Sequence, residues 1–275
     1  MAIAGKLGRR VGVLVAAAAL TVAGCSLIGP LATPSEPFSD FTVGEFGGID
    51  GRQNILHVRA DGVALLVSRV PVAGRLSDQK LTRLRTLLTS EQFGKEVANA
   101  ARHKPRTTEQ VCSDLITNEV TMGNLSMSRT EPCGQEPRPA PAFDEILSIV
   151  APAMRGDFDG PVETAEPRLF PVRLERMKLQ NHAGYMIKVD AAGRGTITGA
   201  GGGSKQRDLS VQQRDTLRLL VARIVEEQVV PCTSTVHYRL HIETQPAISG
   251  PDCGFRERQP ELGALTVLLE DAFDL

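Results

Sequence analysis

The chain has 275 residues with 31 Lys+Arg against 32 Asp+Glu and an apolar share of 41%. That is room for one large domain or two ordinary ones, with enough apolar side chains to bury a core. No run of clustered Lys and Arg occurs, which argues against a nucleic-acid partner, and with no Trp and two Tyr a stacking platform for bases or sugars is poorly supplied.

Residues 1–24 carry Lys6, Arg9 and Arg10 ahead of an apolar run from Val11 to Ala23, the layout of a secretory signal peptide. The run is 13 residues long, short of the roughly 20 needed to cross a bilayer. Leu20-Thr21-Val22-Ala23-Gly24-Cys25 resembles the bacterial lipobox, and that resemblance implies lipidation of Cys25 and attachment to membrane lipid at the outer face of the cell membrane or elsewhere in the envelope. Removing the leader leaves 28 basic and 32 acidic side chains, a net charge of −4. Residues 25–39, with Pro30, Pro34 and Pro37, read as a tether.

The folded part reads as two copies of one unit, 40–155 and 169–275, joined by a linker over 156–168. In the first, strands over 53–60 and 63–69 flank the turn pair Asp61-Gly62. Ser77 caps a helix that sets Leu81, Leu84 and Leu88 on one face. The stretch Phe93 to Gln110, polar and holding Pro105, reads as a loop. Strands Leu115–Met122 and Leu125–Ser128 follow, then a closing helix with Phe143, Ile146, Leu147 and Val150. In the second copy, Tyr185–Val189 and Thr196–Thr198 flank Gly193, and Gly199 to Lys205 reads as a flexible link lacking the Gly that a phosphate loop places before its Lys. Ser210 and Gln213 make a capping box for a helix carrying Leu217, Leu220, Val221 and Ile224, followed by strands Thr235–Glu243 and Ala247–Ser249 and a helix with Leu262, Leu265 and Leu269. The expected fold is α+β, two similar domains, each an antiparallel sheet of four to five strands with two helices packed on one face.

Besides Cys25 there are four cysteines, and both Cys112 to Cys133 and Cys232 to Cys253 span 21 positions. Export makes disulfides the default, and four cysteines leave several pairings open. The equal spacing favours one bridge within each copy, each stabilising by about 3 kcal/mol in the chain-entropy account.

The stretch Val43-Gly44-Glu45-Phe46-Gly47-Gly48-Ile49-Asp50-Gly51-Arg52, the strand ending at Asp61-Gly62 and the Leu76-Ser77 helix start together resemble the emfourin-like domain. So does the later pattern of Cys112 with Asp114, an alternating strand, Cys133-Gly134 and a Pro-led helix. The resemblance covers about 40–155 well and 169–275 more weakly. The family includes small inhibitors of thermolysin-like metalloproteases and many exported bacterial relatives. The resemblance implies a binding loop at Phe46, Gly47, Gly48 and Ile49, where paired glycines permit close backbone approach. The second copy departs there, with Leu179-Gln180-Asn181-His182-Ala183-Gly184 in place of the double glycine.

No nucleophile elbow, H-E-x-x-H zinc helix or complete phosphate loop is present. His237 and His241 share a strand face about 13 Å apart, too far for one metal, and His57 lies on a strand without a nucleophile beside it in sequence. Asp157, Asp159, Glu163 and Glu166 read as a solvated linker. The expectation is no enzyme, no cofactor and no metal, but a lipid-anchored envelope protein that engages another exported protein, a metalloprotease being the partner the resemblance implies. The alternative is an envelope carrier of lipid or another apolar ligand, which needs an interior cavity.

Overall fold

The structure, a computed structural model, describes residues 37–48, 51–102, 115–130, 139–162, 170–178, 184–199, 202–224, 232–243, 245–253 and 260–275. Cys25, Ile49, Cys112, Cys133, Glu163 and Glu166 lie outside the described residues, as does the leader.

The chain opens with four consecutive strands, β1 (Phe41–Gly47), β2 (Arg52–Val58), β3 (Val63–Val67) and β4 (Val72–Arg75). Helices α1 (Asp78–Leu88) and α2 (Glu91–Arg102) follow, then β5 (Ile116–Met122), β6 (Leu125–Thr130) and α3 (Pro141–Val150). The second half runs β7 (Val172–Lys178), β8 (Tyr185–Val189), β9 (Arg194–Gly199), β10 (Ser204–Asp208), α4 (Val211–Arg223), β11 (Val236–Ile242), β12 (Ile248–Pro251) and α5 (Pro260–Ala272). Each half forms one six-stranded sheet, ordered β4-β3-β2-β1-β5-β6 and β10-β9-β8-β7-β11-β12, with every neighbouring pair antiparallel. The protein is thus α+β, built from two similar sheet units.

The local chemistry of the two units matches bond for bond at the second turn. The Gly62 amide donates to Arg59 O at 2.9 Å and the Gly193 amide to Asp190 O at 2.9 Å, both glycines at positive φ. Past the sheet edge, the amides of Leu76 and Leu209 donate to the carbonyls of those same glycines, each at 3.0 Å. Ser77 and Ser210 then cap α1 and α4. Ser210 has its capping box, its own amide donating to Gln213 Oε1 at 2.9 Å. Ser77 has Lys80 three residues on, which cannot reciprocate, and its amide instead donates to Asp159 Oδ2 at 2.8 Å. Asp159 also takes the Lys80 ammonium at 2.7 Å, a contact that holds its carboxyl below the usual range. Asp159 is therefore not a free linker acid: it completes a helix cap in the first unit.

Three expectations need correction. Each sheet has six strands, not four to five. The strand β10 is Ser-Lys-Gln-Arg-Asp with every residue exposed, so it carries no apolar period to read; β4 is four residues long and interrupted by Gly74. The stretch beginning at Phe93 is helical as far as Arg102, so the first unit has a third helix. Its Phe93 is fully buried, and its Glu96 carboxylate, 6% exposed, accepts from the amides of Ala142 at 3.1 Å and Phe143 at 3.0 Å. Those are first-turn amides of α3, whose N-cap Ala140 offers no side-chain acceptor. Finally, the run expected as a flexible link is in part a strand: Ser204 and Lys205 belong to β10, and Gly202, at φ +77°, donates its amide to Gly199 O at 3.0 Å at the end of β9.

Two buried clusters organise the interior, and β3 belongs to both. Ala64 and Leu66 join Phe41, Val43, Leu56, Leu84, Phe143 and Ile146 in a core of the first unit. Val63, Leu65, Val67 and Ala73 join Leu174, Ile187, Leu217, Leu220, Leu240, Leu265 and Leu269 of the second. Successive side chains of a strand point to opposite faces, so the back of the first sheet is packed into the core of the second unit. Thr216 Oγ1 of α4 accepts from the Ala73 amide at 3.0 Å across that seam. This explains why β3, Val-Ala-Leu-Leu-Val, is buried at all five positions, the run expected of a strand covered on both faces. It also explains α5, where Asp271 alone is exposed: a helix between two sheets is apolar on most sides.

Candidate binding surface

The hairpin tip implied by the family resemblance is built by packing constraints. Gly44 is buried and lies beneath the Phe46 ring, so that a Cβ there would come within 2.3 Å of Phe46 Cε2. Gly47, at φ +103°, sits against β5, where a Cβ would fall 2.1 Å from Leu115 O. Gly48, at φ +77°, donates its amide to the same carbonyl at 3.0 Å and has open space where a Cβ would be. The paired glycines thus have a structural task, closing the end of β1 between β2 and β5. In the second unit the tight position moves to the neighbouring strand: a Cβ on Gly184 would lie 2.1 Å from Arg176 O. There the close approach is between β8 and β7, not between the first strand and the equivalent of β5.

His57 has partners that no local sequence window shows. It projects from β2 into the seam, 8% exposed, with Thr42 Oγ1 3.2 Å from Nδ1 and Glu261 Oε1 of α5 3.3 Å from Nε2. The His57 imidazole at this distance lowers the Glu261 carboxyl below its ordinary range. Arg223, exposed on the last turn of α4, faces Glu261 and Asp40, and partial desolvation lowers its guanidinium. A hydroxyl, an imidazole and a carboxylate in line is the arrangement of a nucleophile relay. Here it lies within packed structure. Thr42 is on β1, flanked on both sides by β2 and β5, so the backbone amides around it serve the two ladders and are not arranged as oxyanion donors. The cluster spans the seam between the two units.

The second unit buries another polar group. Glu270 of α5 accepts from the Tyr185 hydroxyl and, at 2.9 Å, from that of Tyr238. Burial and then Glu270 push the Tyr185 phenol above its ordinary value. Both tyrosines of the chain end on one carboxylate, which satisfies the hydroxyl of fully buried Tyr238.

The outer face of the second sheet is open to solvent. Across it lie Arg194, Thr196 and Thr198 of β9, Lys188 and Met186 of β8, Arg173, Glu175 and Met177 of β7, and His237, Arg239 and His241 of β11, set opposite one another by the register. Arg173 pairs with Glu175 at 3.1 Å and reaches His241 Nε2 at 2.9 Å. Burial and the Arg173 charge lower the His241 imidazole. His237 and His241 thus lie along one strand of a largely cationic sheet face, opposite Met177 and Arg173 of β7 respectively. Among the described residues no group of three or more His, Cys, Asp or Glu is placed to hold a metal, and no helix is long and apolar enough to cross a membrane.

Cys232 and Cys253 are bridged, with Cα atoms 6.4 Å apart, joining the outer ends of the β11–β12 hairpin. Between the units, Gln53, Val67, Arg69, Pro260, Ala264 and Val267 border a shallow cleft of about 170 Å³, smaller than the several hundred Å³ of a typical small-molecule site. Compared with known proteins, the chain matches no family model, no curated protein and no solved structure.

Proposed function

We propose that this chain is a lipid-anchored binding protein of the bacterial cell envelope, held through Cys25 and its tether, that engages another exported protein. The emfourin-like motif around Phe46, Gly47, Gly48 and Ile49 makes an exported metalloprotease the first partner to test. The observation that carries the reading is the broad polar face of the second sheet, where Lys188 and Arg239 are exposed and Arg173, His237 and His241 lie partly exposed beside them. Flat, mixed-polarity surfaces of this kind suit protein recognition. The shallow inter-unit cleft favours this reading over carriage of an apolar ligand, which needs an enclosed volume for an acyl chain.

The test is affinity capture of the lipidated chain from envelope extracts, with titration against a panel of thermolysin-like proteases. One exported protein enriched stoichiometrically supports the reading, and protease inhibition at micromolar concentration supports its specific form. Absence of any enriched partner together with absence of inhibition overturns it.

A further inference from the structure

We infer that the free edge of β10 is an acceptor for an extended, acidic segment of a partner protein, which adds to the second sheet as a seventh strand. The inference rests on the binding-protein reading and names the surface and the chemistry of the partner.

In an antiparallel ladder every second residue of an edge strand turns its backbone N–H and C=O away from the neighbouring strand. On β4 of the first unit these residues are Ala73 and Arg75, and both are sealed. The Ala73 amide donates to Thr216 Oγ1 at 3.0 Å. The Arg75 amide donates to Gly160 O at 2.8 Å, and the Arg75 carbonyl accepts from the Asp159 amide at 3.0 Å. Residues 159–160 act there as a short added strand, paired antiparallel with Arg75, with the Phe158 ring laid over Gly74.

The equivalent residues of the second unit, 133 positions on, are Gln206 and Asp208. The β9–β10 register confirms the equivalence: Asp208 faces Arg194 as Arg75 faces Val63. Among the described residues no group takes their outward N–H and C=O, and all five residues of β10 are exposed. The edge that the molecule seals in one unit with its own chain stands open in the other.

The side chains select the occupant. Lys205 and Arg207 alternate on one face of β10, Arg207 already drawing the Asp274 carboxylate to 3.0 Å. Directly opposed like charges destabilise strand pairs and opposite charges stabilise them. A second copy pairing antiparallel about Gln206 would set Lys205 against Arg207 of the other chain, so the edge disfavours itself. An extended segment with carboxylates at alternate positions meets both cations while its backbone takes the Gln206 and Asp208 groups.

The probe is a synthetic peptide of about ten residues alternating Thr and Glu, with a Thr–Lys peptide as control, added to the full chain while amide exchange is followed by mass spectrometry. The acidic peptide is expected to slow exchange over residues 204–208, and added salt to weaken it. Gln206→Pro should abolish protection without altering the melt, because that N–H points away from β9 and the ladder does not use it. The charge reversal Lys205→Glu with Arg207→Glu should weaken binding at least about tenfold and keeps the test decisive should the proline variant misfold. Protection elsewhere, equal binding of the Lys peptide, no protection at about 1 mM peptide, or a dimer that Gln206→Pro dissolves would each overturn the proposal. A partner captured from the envelope and held equally by Gln206→Pro would remove the edge from the mechanism and leave the binding-protein reading standing; absence of any partner would remove that reading.

Discussion

The backs of the two sheets occupy equivalent positions and face opposite environments. On the first sheet Val63, Leu65, Val67 and Ala73 are buried in the second unit's core. Their counterparts on the second sheet are Arg194, Thr196, Thr198 and Gln206, none of them buried. One backbone pattern therefore carries an apolar docking face in one copy and a polar face in the other. A tandem repeat buries its apolar faces by stacking, and the terminal copy needs a polar outer face to stop the stack. The duplication here makes a two-step stack that ends itself, and the seam is heterologous: the back of one unit meets the helices of the next.

The strongest way to break this comparison is to truncate the seam. Leu65→Ala removes a side chain 3% exposed and should cost about 2–5 kcal/mol, as large-to-small core changes do. Thr196→Ala, at the equivalent place, should stay within about 0.5 kcal/mol. Urea unfolding of both variants checks this. Because Leu65 lies in the second unit's core, the whole chain should melt in one transition, and two separate transitions would show that the units are energetically independent.

A second test concerns how each closing helix is started. Both open on proline, Pro141 and Pro260, which suits the first helical turn, but α3 receives a buried carboxylate from Glu96 whereas α5 brings its own, Glu261, to the seam. Glu96→Ala leaves the Ala142 and Phe143 amides buried without acceptors and should cost about 1–3 kcal/mol. Amide exchange at the start of α3 should rise with it. If stability is unchanged, α2 is an appendage and not part of the first unit's core.

The repeat was legible in sequence because its markers are local: two equal cysteine spacings, Asp61-Gly62 and Gly193 at hairpin turns, Leu76-Ser77 and Leu209-Ser210 before helices. Hairpins and caps are decided within a few residues, so they survive without tertiary knowledge. What escaped was decided by distant contacts. The strand β10 has no buried side chain and is a strand only because β9 offers a ladder. Helix α2 looked polar because one of its buried residues is a glutamate whose acceptors are needed by a helix 46 positions away. His57 looked isolated because Glu261 comes from the other unit. The run Val-Ala-Leu-Leu-Val is of the kind a strand covered on both faces carries, but in sequence it reads as half of a hairpin in a sheet covered on one face, and its odd-numbered residues form the seam.

The mildest test is a titration of that seam. Glu261 is held below its ordinary value chiefly by the His57 imidazole 3.3 Å away, so its folded pKa lies below its unfolded one, about 4.3. The stabilisation is then complete above the unfolded value and is lost as the pH falls through the lower folded value. Solvent screens a pair whose carboxylate is partly exposed, so the contribution should be on the order of 1 kcal/mol. Urea midpoints between about pH 6 and pH 3 should fall more steeply for the native chain than for His57→Gln, which keeps a polar group in the seam but removes the imidazole from beside Glu261. Parallel curves would mean that the imidazole contributes packing alone, and that the units are held together by Val63, Leu65, Val67 and Ala73 without electrostatic help.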